Sequence, residues 1–229
     1  MREHLTELQT ESITAERVWT VDDIPVLTAA TSLPQPSQVH GHVSRRIRRY
    51  YQAQGQAFFH YCQHILLPLA KAEYQTALAA SAPLPCFHAE LYYQITWNEN
   101  GLWSLYTESR ERIGSSPTLR IRHGDTWDLS TGYPVTLSSR FQPKVRWKKV
   151  ILTAVAAEIE QQERCGIAQY HVNWRHLLRR RFNSRNFFLT SEGLAFFYPM
   201  YAIAPTAEGI PTFVLKYDAL LLQDPASEP

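Results

Sequence analysis

Residues 186–217 read NFFLTSEGLAFFYPMYAIAPTAEGIPTFVLKY, and this stretch decides the fold. Apolar side chains alternate on both sides of the short polar connection 191–193, a pattern that is typical of two half-buried strands joined in a hairpin. The alternation returns in residues 213–217, which predicts a third strand. Between the second and third strands, the prolines and the glycine of residues 199–211 favour a long, shaped loop over a helix. We therefore expect the main functional surface at this loop.

The same stretch resembles a family of bacterial domains of unknown function. It follows the pattern F/Y-x-L-T-x-x-G-L and then Y-x-I-A-P-x-A-x-G-I-P-x-F-x-x-x-Y. The matching residues are Asn186, Phe187, Leu189, Thr190, Gly193, Leu194, Tyr201, Ile203, Ala204, Pro205, Ala207, Gly209, Ile210, Pro211, Phe213 and Tyr217. The pattern is similar to the C-terminal sensor region of the anti-sigma factor RsiV and to the non-catalytic region of the deacetylase PdaC. Residues 100–105 and 127–137, with Phe141, resemble the preceding segment of the family, so that residues 90–140 and 141–220 correspond to its two consecutive segments.

The resemblance implies a non-enzymatic binding module. The RsiV sensor region binds lysozyme, so the implied partner is a muramidase-type protein or a cell-wall component. Regulation of the RsiV kind also needs an anti-sigma helix and a membrane span, and activity of the PdaC kind needs a separate deacetylase domain. Neither is visible in this sequence. We therefore expect the recognition domain alone, acting on a partner of its own.

The candidate binding residues lie in and beside the loop. Tyr198 and Tyr201 are predicted to be exposed aromatic contacts. The neighbouring prolines restrict the loop and so reduce the entropy that a recognition surface loses on binding. The prolines Pro199 and Pro205 belong to this candidate surface, and Glu208 and Arg185 are placed at its polar rim. A purely structural alternative stays open, in which the apolar loop residues cover the sheet edge and the prolines only shape the turn.

Composition describes an ordinary globular chain of 229 residues, with 45% hydrophobic and 19% charged residues. We expect one compact domain over residues 1–229, with loose tails at 1–10 and 223–229. No segment has the apolar run of a signal peptide or a membrane span, which predicts a soluble, cytoplasmic protein. The three cysteines are odd in number and far apart, so no disulfide framework is expected. The oligomeric state is left open.

Helices and hairpins are mixed without regular β-α-β alternation. Residues 43–80 carry an apolar stripe at helical spacing, and Pro68 predicts a break near Leu67. Residues 88–97 and 102–108 form a predicted hairpin around Asn100 and Gly101, two residues that tolerate positive φ. Two further helices are predicted, one with Trp147 and Ile159 on its inner face and one over residues 173–182. The pattern favours an α+β fold, with antiparallel sheet hairpins and helices packed on one face.

The sequence gives little support for catalysis. No nucleophile elbow and no phosphate-binding glycine loop occur, and the carboxylates such as Glu108 and Asp128 cannot be paired from sequence. His60 and His64 stand one helical turn apart, but a third metal ligand has no recognisable spacing. We predict no catalytic residue, no metal site and no cofactor. An unrecognised carbohydrate hydrolase is the third interpretation.

The alternative to a protein-binding module is a basic surface for nucleic acid or phosphate. Arginine and lysine cluster in residues 45–49, 144–149 and 175–185, although the formal net charge is only +2. Such clusters are more often the solvated faces of helices, so nucleic acid is the less favoured partner. A salt titration separates the two readings, because phosphate binding weakens steeply with salt.

Overall fold

A computed structural model of the chain describes residues 7–37, 41–114 and 116–217. The predicted tail 223–229 and the first six residues of the predicted tail 1–10 lie outside these ranges. Leu8, in contrast, is buried, and its backbone N–H donates to the side-chain oxygen of Asn98 over 2.9 Å.

The fold is α+β, as predicted, and 34% of the described residues are helical and 35% are in strands. The strands are β1 (Thr10–Val21), β2 (Ile24–Pro36), β3 (Phe87–Glu99), β4 (Leu102–Arg112), β5 (Leu119–Asp128), β6 (Tyr133–Pro134), β7 (Phe187–Leu189), β8 (Leu194–Phe197) and β9 (Thr212–Leu215). The α-helices are α1 (His42–Tyr61), α2 (Leu67–Ala79), α3 (Trp147–Arg164) and α4 (Trp174–Arg180).

The strands form a six-stranded sheet in the order β1-β2-β3-β4-β5-β6 and a three-stranded sheet in the order β7-β8-β9. The pairs β1/β2, β5/β6, β7/β8 and β8/β9 are antiparallel. One pair departs from the predicted hairpins, because β2 and β3 run parallel over Leu27–Thr31 and Phe87–Leu91. The chain between them contains α1 and α2, the kind of long crossover that a parallel pair requires.

The chain divides into two compact units, described in turn. Among the described residues, the helical unit contains Gln9–Tyr93 and Thr107–Arg120, and the loop unit contains residues 7–8, Gln94–Tyr106 and residues 121–217.

In the helical unit, the predicted two-part helix is confirmed, and the break has a specific form. A π-helical turn, Cys62–Leu66, separates α1 from α2, and Pro68 lies in the first turn of α2. A π turn accommodates one additional residue, so it shifts the apolar stripe by one position. The sequence pattern places Ile65 and Leu69 inside, whereas the structure exposes both and buries their successors, Leu66 and Ala70.

Strands β1 and β2 form a long antiparallel hairpin. Asp22 and Asp23 both have positive φ, as a two-residue hairpin turn of the primed type requires. Although residues 32–37 contain two prolines, β2 continues to Pro36 and pairs with β1. Beyond Thr31 the strand pairs with β1 alone, so the prolines lie where β2 is an edge strand.

In the loop unit, the predicted turn between β3 and β4 is confirmed by the positive φ of Asn100 and Gly101. Strand β5 continues without interruption through residues 123–125. Gly124 has a packing role, because a Cβ at this position would overlap the backbone carbonyl of Phe187. The absence of a side chain therefore permits the close approach of β7.

The three-stranded sheet of the loop unit has two apolar faces. One face packs against α3 and α4 in a core that includes Ile151, Val155, Ile159, Trp174, Leu178, Phe187, Leu189, Leu194, Phe196, Tyr198, Phe213 and Leu215. The opposite face contributes a smaller cluster: Phe188, Ala195, Phe197 and Ile210. The alternation of residues 186–217 therefore separates these two faces, and the helices cover one of them.

Candidate functional site

The loop between β8 and β9 is held by turns at both ends. The N–H of Ala202 donates to the carbonyl of Pro199 over 3.0 Å, which closes the first turn. A short 3-10 helix, Thr206–Glu208, forms the second. Ile203 and Ala204, between the turns, are completely buried in the core. The loop is therefore fixed in its middle, and only its turns are free to present side chains.

Tyr198 lies at the root of the loop and corrects one expectation. It was predicted to be exposed, but its side chain is completely buried. Its hydroxyl donates to the carbonyl of Leu178 over 3.0 Å. Because that carbonyl is in the last turn of α4, it has lost its helical partner, and the tyrosine satisfies it. Burial raises the pKa of Tyr198 far above its usual value. Tyr198 is thus placed to hold the fold.

Tyr201 lies at the tip of the first turn, and its predicted exposure is confirmed. It is 67% exposed and has a φ of 67°. Left-handed backbone is unusual for a bulky residue and costs roughly 1–3 kcal/mol, because the Cβ crowds the backbone. The ring contacts His171 edge to face, with 5.3 Å between the ring centroids. An exposed aromatic ring is therefore held in a strained, defined position.

The segment between α3 and α4 lies beside the loop. The N–H of His171 donates to the carbonyl of Ile203, and the N–H of Gln169 donates to the carboxylate of Glu208, both over 3.0 Å. This segment presents Ile167, which is 69% exposed, and Val172, which is fully exposed. We call the set Ile167, His171, Val172, Pro199, Tyr201 and Glu208 the Tyr201 surface.

The other candidate residues are distributed around this surface. Pro199 is exposed next to the turn, and Pro205 is half-buried at the start of the 3-10 helix. Glu208 is half-buried and accepts the hydrogen bond from Gln169 that ties the two segments together. Arg185 is exposed in the turn before β7, at the end of the sheet where β8 leads into the loop. The structure therefore brings Pro199, Tyr201 and Glu208 to one loop, with Arg185 at the neighbouring sheet end.

The sequence did not point to Ile167, His171 or Val172. Isolated aliphatic residues in a short connection are ordinarily expected to be buried. The one available signal is Gly166, which has a φ of 65° and ends α3 directly before the exposed segment. Only the tertiary hydrogen bonds to the loop reveal that this segment belongs to the same surface.

The basic clusters occupy different places. Residues 45–49 belong to the helical unit, whereas the other two clusters belong to the loop unit. There, α3, α4 and the residues before α3 line an open cavity of about 920 Å³. Its lining includes basic side chains from both clusters: Arg146, Lys148, Lys149, Arg175 and Arg179. Two of the three sequence clusters thus meet at one cavity.

The carboxylates of the hydrolase interpretation have structural partners. Glu108 is buried, and it accepts hydrogen bonds from Tyr92 over 2.6 Å and from Arg120 over 2.8 Å. Asp128 accepts hydrogen bonds from Ser130 and Thr131 in a turn. Although desolvation acts to raise its pKa, these hydrogen bonds leave the pKa of Asp128 below its usual value.

Two further features of the described residues concern metal binding and membrane-spanning helices. His60 and His64 lie with their ring centroids 4.1 Å apart, and no group of three potential metal ligands occurs among the residues that the structure describes. None of the helices in the described ranges combines the length and apolarity needed to cross a membrane.

Part of the loop unit matches a known protein family. Residues 141–218, which contain α3, α4, the three-stranded sheet and the Tyr201 surface, match the family model described as "Protein of unknown function (DUF3298)". No curated protein gives a significant match to the chain.

Two solved structures share the fold. One is a crystal structure of a DUF3298 family member from Bacteroides fragilis, with a TM-score of 0.70, 14% sequence identity, and coverage of 97% of this chain and 96% of that chain. The other is a DUF3298 family protein from Pseudomonas aeruginosa, with a TM-score of 0.57, 14% identity, and coverage of 94% of each chain. At 14% identity, the likeness to these two structures concerns the fold alone.

Proposed function

We propose that the chain is a binding module that recognises a protein through the Tyr201 surface. The observation that carries this proposal is the exposed ring of Tyr201, held at a φ of 67° in a loop whose middle is buried. Strain at an exposed residue does not stabilise the fold, but it positions a ring for a partner. A pre-positioned tyrosine loses little conformational entropy on binding, which is why such residues dominate many protein interfaces.

The chemistry of the surface favours a protein partner over a sugar polymer. Tyr201, Ile167 and Val172 offer an aromatic and two aliphatic contacts, and the adjoining backbone N–H groups of Gln169 and His171 are already satisfied. Apolar contacts surrounded by satisfied polar groups are the usual anatomy of a protein interface. Glu208 and Arg185 would then supply the polar rim.

The resemblance to the RsiV sensor region makes a lysozyme-type muramidase the first partner to test. We expect calorimetric titration of the protein with such a muramidase to show saturable binding. The Tyr201→Ala variant should bind at least about tenfold more weakly, because loss of an anchoring aromatic residue commonly costs 2 kcal/mol or more. A cell-wall fragment titrated in parallel separates recognition of the enzyme from recognition of its substrate.

Tyr133→Ala is the matched control for this experiment. Tyr133 is 59% exposed in β6 of the same unit, and it has no positive φ. Its replacement should leave the affinity within about twofold. Absence of muramidase binding at micromolar concentrations, or equal losses in both variants, would contradict the proposal.

A further inference from the structure

The cavity between α3 and α4 combines an apolar floor with a basic rim. Val145, Leu152, Ala156 and Leu178 contribute apolar surface, and Trp147 adds an aromatic ring. The rim carries five basic side chains and one carboxylate, that of Glu160. A volume of about 920 Å³ falls in the range of small-molecule sites.

The basic side chains of the rim differ in how they are used. Arg175 forms an ion pair with Glu160 at 2.9 Å, and the ammonium group of Lys148 lies 5.0 Å from the centroid of the Phe182 ring. Arg146, Lys149 and Arg179, in contrast, have no ion-pair partner within the described parts of the chain. Three uncompensated cations around one cavity repel one another, and a bound anion relieves that repulsion.

The start of α3 reinforces the same preference. No side chain caps this helix, and its first turn contains no acidic residue. The positive end of the helix dipole therefore lies beside Lys148 and Lys149, an arrangement that is unfavourable without a negative charge. The apolar floor adds a second requirement, since a bare inorganic anion would leave it uncovered.

We propose that this cavity binds a small amphiphilic anion, namely an organic phosphate whose phosphate group lies at the rim and whose apolar body covers Leu152, Ala156 and Leu178. The basic side chains of the rim favour a negatively charged group, and the apolar floor favours an apolar body. This site is separate from the Tyr201 surface and does not depend on the protein-binding proposal.

Decyl phosphate, kept below the concentration at which it forms micelles, is the probe for this proposal. Inorganic phosphate, which has only the charged group, and decanol, which has only the apolar body, are the two controls. Calorimetry should show saturable binding of decyl phosphate, at least about tenfold weaker binding of inorganic phosphate, and no saturable binding of decanol. Equal binding of decanol, or no binding of decyl phosphate, would overturn the proposal.

Variants of α4 locate the site. Arg179→Glu should weaken decyl phosphate binding at least about tenfold, because it places a negative charge at the rim. Arg180→Glu is its matched control, since Arg180 is exposed in the same helical turn but does not line the cavity. Equal losses in the two variants would show that general charge, and not this cavity, controls binding. Tyr201→Ala should leave the affinity unchanged, which distinguishes this site from the Tyr201 surface.

An experiment with lipid vesicles distinguishes a lipid headgroup from a free organic phosphate as the natural ligand. Sedimentation with phosphatidylcholine vesicles containing phosphatidic acid reports whether the cavity accepts a lipid in a bilayer. Cosedimentation that Arg179→Glu abolishes and Arg180→Glu preserves would support a lipid headgroup. Binding of monomeric decyl phosphate without cosedimentation would support a free organic phosphate.

Discussion

Tyr198 and Tyr201 stand three positions apart in one loop, and the structure uses them in opposite ways. Tyr198 is buried at the root, where its hydroxyl completes the hydrogen bonding of α4. Tyr201 is exposed at the tip, where its backbone is strained. Tyr198 therefore stabilises the folded state, whereas the strained backbone of Tyr201 lowers its stability. This difference teaches that the loop has a structural half and a presenting half.

The largest expected effect comes from removing the buried ring. Tyr198→Ala should lower the free energy of unfolding by about 3–5 kcal/mol, because it leaves a cavity in the core and an unsatisfied helix carbonyl. Urea unfolding of the variant and the wild type measures the difference. Tyr133→Ala, which removes an exposed ring from the same unit, should change it by less than about 0.5 kcal/mol. A similar cost for both variants would contradict the structural role of Tyr198.

Removal of the Tyr198 hydroxyl alone should have a smaller effect. Tyr198→Phe preserves the ring but leaves the carbonyl of Leu178 without its donor. The expected loss is about 1–2 kcal/mol, the usual penalty for a buried group whose hydrogen bond is removed. The comparison with Tyr198→Ala in the same unfolding experiment separates the contribution of packing from that of the hydrogen bond. No loss at all would mean that the hydroxyl does not contribute to holding α4.

In the helical unit, a half-buried tyrosine, Tyr61, contacts a buried carboxylate and extends the comparison. The hydroxyl of Tyr61 donates to the carboxylate of Glu111 over 3.0 Å, and burial raises the pKa of Glu111 although this hydrogen bond lowers it. Because the folded pKa exceeds the unfolded value, the folded state binds more protons between the two values. Stability should therefore fall as pH rises through that window and stay reduced above it.

Glu111→Gln tests this pH dependence. The variant retains an acceptor for Tyr61 but removes the buried charge, so it should be more stable than the wild type at pH 7. We expect the gap between the two melting temperatures to narrow as pH falls to the usual glutamate pKa. Thermal unfolding from pH 4 to pH 8 provides the measurement. A gap that stays constant with pH would show that Glu111 does not titrate as described.

Local patterns predicted much of the fold. The alternation of residues 186–217 predicted three strands, Asn100 and Gly101 predicted a tight turn, and Pro68 predicted a divided helix. Each of these depends on side chains close together in sequence. The one-residue shift caused by the π turn was not predictable, because the helical stripe continues unbroken in the sequence.

The candidate surface was predictable only in part. Sequence placed Tyr201 in a proline-shaped loop, but it gave Tyr198 the same exposure, because burial at the loop root depends on α4. The contribution of Ile167 and Val172 rests on hydrogen bonds between segments some 40 residues apart, such as that from Gln169 to Glu208. The meeting of two basic clusters at one cavity likewise depends on the packing of α3 and α4.

The smallest expected change in stability, at Tyr201, tests the central claim most directly. Asparagine tolerates positive φ better than tyrosine and lacks the exposed ring. The free energy of unfolding of Tyr201→Asn should therefore equal that of the wild type or exceed it by up to about 1 kcal/mol. That result would show that the strained tyrosine is not needed for folding. A loss of more than about 1 kcal/mol would instead place Tyr201 among the residues that hold the fold.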